Sequence, residues 1–311
     1  MTKTATKKIA FSFFVFILSY LAAIQFFGES PDAQAYYFFF DDVDFNYSGR
    51  FEPLFVWLSV LIKRIVNDFS FFVFLIVFIG LFFKFFVLSK FSNFPFFVFL
   101  YLLLLFPVHE LTQYRASLAL GFLYLALYFL CVEKNKILVF LLFFSAIFLH
   151  YSVVAFLPFV LLWRYFSGNG TLKYWQMFFG LLFLFAGKLL IVNYVSELNS
   201  TLLSVKNEEP NIFSSRNIIL FFILMIGVFN FRNIPKNAKP FFYISCYGFV
   251  LWWLFFDIPV FAHRLFEMTF FSYFIWLSFL SGFGLRVCQF LFSILSIYLA
   301  YKMIYIDNFF A

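Results

Sequence analysis

The sequence predicts an all-α polytopic integral membrane protein, a single transmembrane domain over residues 1–311, and three observations predict it. Of its 311 residues 65 % are hydrophobic and only 12 % are charged. Soluble domains carry about 25 % charged residues, so half the charge needed to clothe a water-facing surface is missing. The mean hydropathy of +0.97 is too high for one large soluble core, because surface area falls too slowly with size to hide that much apolar matter. Finally, apolar runs near 20 residues, the length that crosses a bilayer, recur along the whole chain.

The spans follow in order. MTKTATKK precedes the apolar run Ile9–Phe27, which has no small-residue cleavage site after it and reads as an uncleaved first span entering from the cytoplasm. Residues 28–66 form an outer loop, in which Pro53–Val66, only 14 residues ending near Lys63 and Arg64, is too short to span and reads as an interfacial helix. Further spans are Phe69–Leu88, Phe94–Val108 and Arg115–Val132. Ile137–Trp163, 27 residues with His150 at its middle, reads as two short helices meeting there. Tyr174–Asn193 leads to a second outer loop at 194–215, and Arg216–Phe231, Phe241–Phe256, Leu265–Gly282 and Val287–Ile306 complete 11 spans. In the competing topology, residues 53–66 and 137–163 are ordinary spans. The 11-span arrangement gathers MTKTATKK, Lys84/Lys90, Lys134/Lys136, Arg164/Lys173 and Arg232/Lys236/Lys239 in the cytoplasm, as the positive-inside rule requires.

With that orientation the polar residues that solubility does not explain fall on the outer side. The net charge of +7 fits basic cytoplasmic loops, and no Lys/Arg run exceeds two residues, so nucleic acid is excluded as a partner. Cys131, Cys246 and Cys288 stand far apart in apolar runs, without disulfide or metal-ligand spacing. No nucleotide fingerprint, zinc-protease motif or internal repeat is present, and neither a metal nor a cofactor is expected.

Four segments carry candidate chemistry. The loop GESPDAQAYYFFFDDVDFNYSGRFEP holds Glu29, Asp32, Asp41, Asp42, Asp44 and Glu52 among Tyr36, Tyr37 and Tyr47. Aromatic rings stack on sugar faces and carboxylates accept sugar hydroxyls, and one carboxylate can take a proton from an attacking hydroxyl. The trio Asp41, Asp42 and Asp44 also reads as a solvated acidic loop. Arg115, at the start of a membrane helix and followed by the small residues Ala116, Ser117 and Ala119, is costly unless paired or facing a wet cavity. A carboxylate or a phosphate suits its planar fork. His150 is the one histidine inside a long apolar run, able to shuttle protons or donate to a phosphate oxygen. In DIPVFAHRLFE, Arg264 and His263 lie three and four residues before Glu267, which allows an ion pair on one helical face or makes Arg264 a second cation for an anionic ligand.

At these residues the chain resembles the EpsG/Wzy-type polymerases of bacterial surface polysaccharides. Asp32 with Tyr36 resembles that family's Asp-x-x-x-Tyr element, and Phe51-Glu52-Pro53 its Glu-Pro/Gly element. Arg115 with Ser117-Leu118-Ala119-Leu120 is similar to its Arg-Gln-x-(Leu/Ile)-Ala element, and Phe148-Leu149-His150-Tyr151-Ser152 to its Phe-His-x-Ser. Arg264 falls where a later arginine commonly occurs. Ala116 replaces the usual Gln, with Gln113 nearby, and Leu149 separates Phe148 from His150.

The resemblance implies short and broken helices around an outward-facing cavity, a GT-C-like architecture, in a bacterial inner (plasma) membrane with the N-terminus cytoplasmic. It implies a metal- and nucleotide-independent glycosyltransferase joining repeat units borne on undecaprenyl pyrophosphate. Asp32, Glu52 and His150 would be catalytic, Arg115 and Arg264 would hold the pyrophosphate, and Tyr36 and Tyr37 the sugar. Lipid-linked glycans and membrane lipid would be its partners, together with a chain-length regulator and a flippase. The rivals are a lipid-linked oligosaccharide flippase, for which polar groups on both sides and some internal symmetry are expected; a membrane acyltransferase, for which His150 lacks an acidic residue nearby in sequence; and a structural subunit of an export complex.

Overall fold

A computed structural model describes residues 3–24, 33–47, 49, 51–91, 94–166, 214–256, 259–279 and 282–303, with residues 176, 180, 185 and 188 singly between them. Asp32, the 194–213 part of the second loop and most of the expected span 174–193 lie outside the described residues. Among the described residues the protein is helical, without strands. The helices are α1 (Lys3–Ala23), α2 (Ala33–Asp42), α3 (Pro53–Ile65), α4 (Phe69–Ser89), α5 (Phe94–Leu104), α6 (Tyr114–Tyr128), α7 (Lys136–Leu149), α8 (Leu157–Phe166), α9 (Ser215–Phe229), α10 (Lys239–Leu254), α11 (Pro259–Trp276) and α12 (Phe283–Tyr301).

Local chemistry starts several of them. Asp68 accepts the Phe71 amide at 2.6 Å ahead of α4, and Asn135 accepts that of Leu138 at 3.2 Å ahead of α7; each satisfies an amide that has no partner within its helix. Pro53 opens α3, where its missing N–H costs nothing.

Among the described residues two helical runs, Phe69–Ser89 and Tyr114–Glu133, are long and apolar enough to cross a membrane unaided. Other apolar helices are shorter because the chain breaks them. Leu149 ends α7, His150 adopts an extended conformation (φ −159°, ψ 111°), and a 3₁₀ segment at Tyr151–Phe156 leads into α8. Lys136 and Val139 from the start of this stretch line one cavity with Trp163 and Arg164 from its end, so the chain doubles back at His150. A π-helical turn at Phe106–Glu110 likewise follows α5, and the return to α6 happens inside the protein, with Phe106, His109, Glu110, Leu111 and Thr112 all buried.

Helix α4 organises the first half. It runs antiparallel to α1, pairing Phe82 with Phe11 and Phe74 with Phe16 at centroid distances of 5.7 and 5.1 Å. It runs parallel to α6, pairing Phe83 with Phe122 and Phe86 with Tyr128. A Cβ added to Gly121 would stand 2.8 Å from the Gly80 carbonyl oxygen, whereas one on Gly80 would meet nothing closer than 3.4 Å. Small residues thus bring these two backbones together, as lipid-embedded helices require when no hydrophobic force drives them to pair.

Beside that crossing lies a buried ionic cluster. The Lys84 ammonium donates to Glu110 at 2.6 Å, to Ser117 at 2.9 Å and to the Tyr101 hydroxyl at 3.2 Å. Tyr101 donates to the same Glu110 oxygen at 2.5 Å, and Ser117 donates to the other. The expectation that Lys84 is a cytoplasmic loop charge is therefore corrected: it is 1 % exposed, and its mate is 0 % exposed. Glu110, in the turn before α6, is drawn inward to neutralise Lys84.

Gly121→Ala is expected to lower the thermal unfolding midpoint in detergent markedly and Gly80→Ala only slightly, since the first forces the backbones apart. Lys84→Met, which strands the Glu110 carboxylate, is expected to cost about 3–5 kcal/mol, and Lys84→Met with Glu110→Leu much less. Thermal unfolding of the four variants checks both orderings.

Candidate active site

The site begins at the residue before α3. Glu52 has extended backbone angles (φ −72°, ψ 149°) and makes no side-chain cap to its own helix, so its carboxylate reaches across the molecule. One oxygen, Oε2, accepts from Arg115 Nη1 at 2.5 Å. The other, Oε1, lies 2.9 Å from His150 Nδ1 and 3.3 Å from the Tyr151 amide, which donates to it. Glu52 is 4 % exposed and His150 7 %.

Arg115 is the second residue of α6, and its position follows from the turn before it. Glu110 is held by Lys84 and by Ser117, two residues beyond Arg115. The Phe51 ring lies 4.4 Å from the guanidinium carbon, a cation–π contact. Arg115 Nε donates to the Tyr36 hydroxyl at 3.4 Å, and the Tyr36 ring packs edge-on against Tyr114 at 4.9 Å. His150 is fixed from behind, because its amide closes α7 on the Ala146 carbonyl at 2.9 Å.

The balance of charge at Glu52 can be read from its partners. Burial opposes ionisation, but the hydrogen bond to His150 and the positive charge of Arg115 outweigh it and hold the carboxyl below the ordinary carboxylate value. An ionised carboxylate only accepts, so the proton shared with His150 belongs to Nδ1, and Nε2 is the ring nitrogen that Glu52 leaves free.

Tyr36, Phe51, Arg115 and His150 line a cavity of about 110 Å³ with Gln113 and Arg264, and Glu52 holds two of these side chains without lining it. Arg264 projects exposed from α11 and has no ion pair or hydrogen bond among the described residues. Among the described residues no hydrogen bond or close salt bridge joins Arg264 or His263 to Glu267, although the Arg264 charge still acts on that carboxyl. Instead His263 Nδ1 lies 3.1 Å from Arg216 Nη2, and Glu267 hydrogen-bonds Gln113. The tertiary fold thus offers these groups partners from α9 and from the turn before α6. Gln113 reaches the cavity that Ala116, in the place of the family's usual Gln, also lines.

Glu52, His150, Arg115, Arg264 and Tyr36 are brought together. Tyr37 is not: it is 52 % exposed, edge-on to Phe69 at 5.4 Å, and outside the cavity lining. Asp44 accepts the Asn46 amide at 2.9 Å, and among the described residues no group of His, Cys, Asp and Glu could hold a metal ion. Asp32 lies outside the described residues. The acid that His150 lacks in sequence is present in space as Glu52, 98 residues away. Lys84 and Glu110 were not singled out as partners by sequence reasoning; the signal was a lysine between phenylalanines inside a long apolar run.

A carboxyl whose folded value is depressed stabilises the protein above its unfolded value and loses that contribution as pH falls through the folded one. Acidification from pH 7 is therefore expected to lower the unfolding midpoint of the wild type below the ordinary carboxylate range. Glu52→Gln should start lower and change less, which parallel melting curves would check.

Comparison with known proteins places this geometry in context. No curated protein and no solved structure matches the chain. The model of the EpsG family matches residues 8–310, nearly the entire length. The apolar helical build and this match make it a membrane protein of the polysaccharide-polymerase type, and the chain belongs to the EpsG family.

Proposed function

We propose that the protein is a glycosyltransferase that polymerises undecaprenyl-pyrophosphate-linked repeat units on the outer face of the bacterial inner membrane, into O-antigen, capsule or exopolysaccharide. The observation that carries this reading is the Glu52 carboxylate joined at once to Arg115 and His150, two side chains that line one cavity together with Arg264.

The acceptor hydroxyl attacks the anomeric carbon of the donor glycan. The new glycosidic bond forms as the bond from that carbon to the pyrophosphate oxygen breaks, and the pyrophosphate leaves with the electron pair. His150 Nε2 takes the hydroxyl proton, and Glu52, held at Nδ1, orients the ring and steadies the imidazolium that forms. Arg115 and Arg264 face the charge growing on the leaving group. With Glu52 ionised and His150 neutral, the two arginines leave a net charge of about +1, which favours a phosphate. At about 30 Å³ per water the cavity has room for a phosphate group, with the sugars lying outward past Tyr36. No step calls for a metal or a nucleotide.

A lipid-borne donor also needs a path from the bilayer. An apolar groove of about 530 Å³ runs beside the site between α3 and α7, lined by Pro53, Trp57, Phe140, Phe144 and Phe148. Pro53 adjoins Glu52, and Phe148 stands two residues before His150, so an isoprenoid chain in this groove would bring its pyrophosphate to the arginines. A flippase supplying lipid-linked units and a chain-length regulator would be the partners, and the N-terminus would lie in the cytoplasm.

Arg115→Ala and His150→Ala are each expected to lower polymerisation about 100-fold or more at unchanged membrane levels, and Arg115→Lys to restore little, because a point charge cannot replace a planar fork. The assay is the gel ladder of surface polysaccharide in a deletion strain carrying each variant. A normal ladder with Arg115→Ala would end the proposed role. Loss of even the single-unit product in the deletion strain would favour the flippase.

A further inference from the structure

The opposite end of α7 carries a second cavity, larger than the first and of a different chemistry. It measures about 670 Å³ and is lined by Lys134, Lys136, Arg164 and Lys236, with Trp163 and Val139 in its apolar wall. The four cations come from three separate parts of the chain: the α6–α7 connection and the first residue of α7, the last turn of α8, and the turn before α10. All four are exposed, and among the described residues none has an ion-pair or hydrogen-bond partner. Among the described residues no carboxylate lines the cavity. The nearest acid in sequence, Glu133, accepts a hydrogen bond from the Tyr128 hydroxyl at 2.7 Å.

The backbone is bent to produce this arrangement. Lys134 is the one described non-glycine residue with positive φ, at 58°, in the left-handed region where its amide closes the preceding π-helical turn on the Phe129 carbonyl. Such a conformation is strained in a non-glycine residue and collects at functional sites. A glycine or asparagine would relieve the strain but would remove the charge.

Four like charges converging on one space repel each other, and the repulsion strengthens as the surroundings become less polar. An anion relieves it. The lining is not wholly polar: Val139 and Trp163 form part of the wall, and Ile137, exposed by 73 %, carries the apolar surface on up α7, short of the groove that begins at Phe140. That apolar surface fits an anion that carries acyl chains better than a free one. We propose that this cleft binds the phosphate headgroup of an anionic membrane phospholipid, with the acyl chains along the exposed face of α7. The positive-inside rule assigns the cleft to the cytoplasmic leaflet, about 20 Å along α7 from His150 at a rise of 1.5 Å per residue. The inference does not depend on the polymerase reading.

The test uses the full-length purified protein in nanodiscs of phosphatidylcholine, with or without cardiolipin, whose two phosphates suit four cations. Trp163 lies in the cavity wall, so its fluorescence reports occupation alongside the thermal midpoint. Cardiolipin is expected to raise the midpoint and shift the emission of the wild type. Lys134→Gln/Lys136→Gln/Arg164→Gln should weaken the half-saturating response at least tenfold. Lys239→Gln, a nearby cation whose ammonium lies 4.5 Å from the Phe231 ring and which does not line the cleft, should respond like the wild type. An equal response in the triple variant would overturn the proposal. So would full reproduction of the effect by inorganic pyrophosphate or by a poly-glutamate peptide in phosphatidylcholine alone, which would make the ligand a free anion or an acidic protein segment.

Discussion

One carboxylate carries the architecture around the site. Glu52 has two oxygens and spends each on a different part of the fold: Oε2 on the guanidinium of α6, Oε1 on the imidazole where α7 breaks. Burying any of these groups singly would be costly, since a charge removed from water without a partner costs several kcal/mol. Together they form a nearly closed set, and each holds the others in place. The loop that delivers Glu52 is thereby pinned to two helices that are not its neighbours in sequence.

The second buried cluster supports the first mechanically. Lys84 draws Glu110 inward, and Glu110 accepts from Ser117, so the turn between α5 and α6 is fixed on both sides of Arg115. The Gly80–Gly121 contact lets α4 and α6 come close enough for that reach. Apolar packing provides the density, largely through aromatic rings such as Phe39, Phe51 and Phe55, which stack beneath the loop that carries Glu52. Packing alone, however, would leave the direction of the arginine undecided, because apolar contacts have no orientation and hydrogen bonds do.

How much of this was legible varies by residue. Arg115 and His150 stood out because charged and polar groups inside apolar runs are rare and expensive, and a carboxylate was among the partners expected for the arginine. The helical class was plain from composition and from run length. Lys84 carried the same kind of signal, but its place toward the end of an apolar run allowed it to be counted with the loop charges. Tyr36 and Tyr37 were both assigned to the sugar, though only Tyr36 matches the Asp-x-x-x-Tyr element, and consecutive helical positions point about 100° apart. One ring therefore joins the site while the other faces outward. Spacing suggested a local pair of Arg264 with Glu267, but Glu267 hydrogen-bonds Gln113 and feels the charge of Arg216 as well as that of Arg264.

By itself the sequence determined that the chain lives in a membrane, that it is built of helices, and which few polar residues needed an explanation. Those properties depend on solvation cost, which each residue incurs wherever the chain runs through lipid. Tertiary structure alone decided that Glu52 answers both Arg115 and His150 across separations of 63 and 98 residues. It also decided that Ile137–Trp163 turns back on itself and that four loop cations share one cleft. Pairings of that kind depend on distance in space, and helix crossings set that distance through the volumes of residues such as Gly80 and Gly121. A linear pattern of hydropathy holds no information about it.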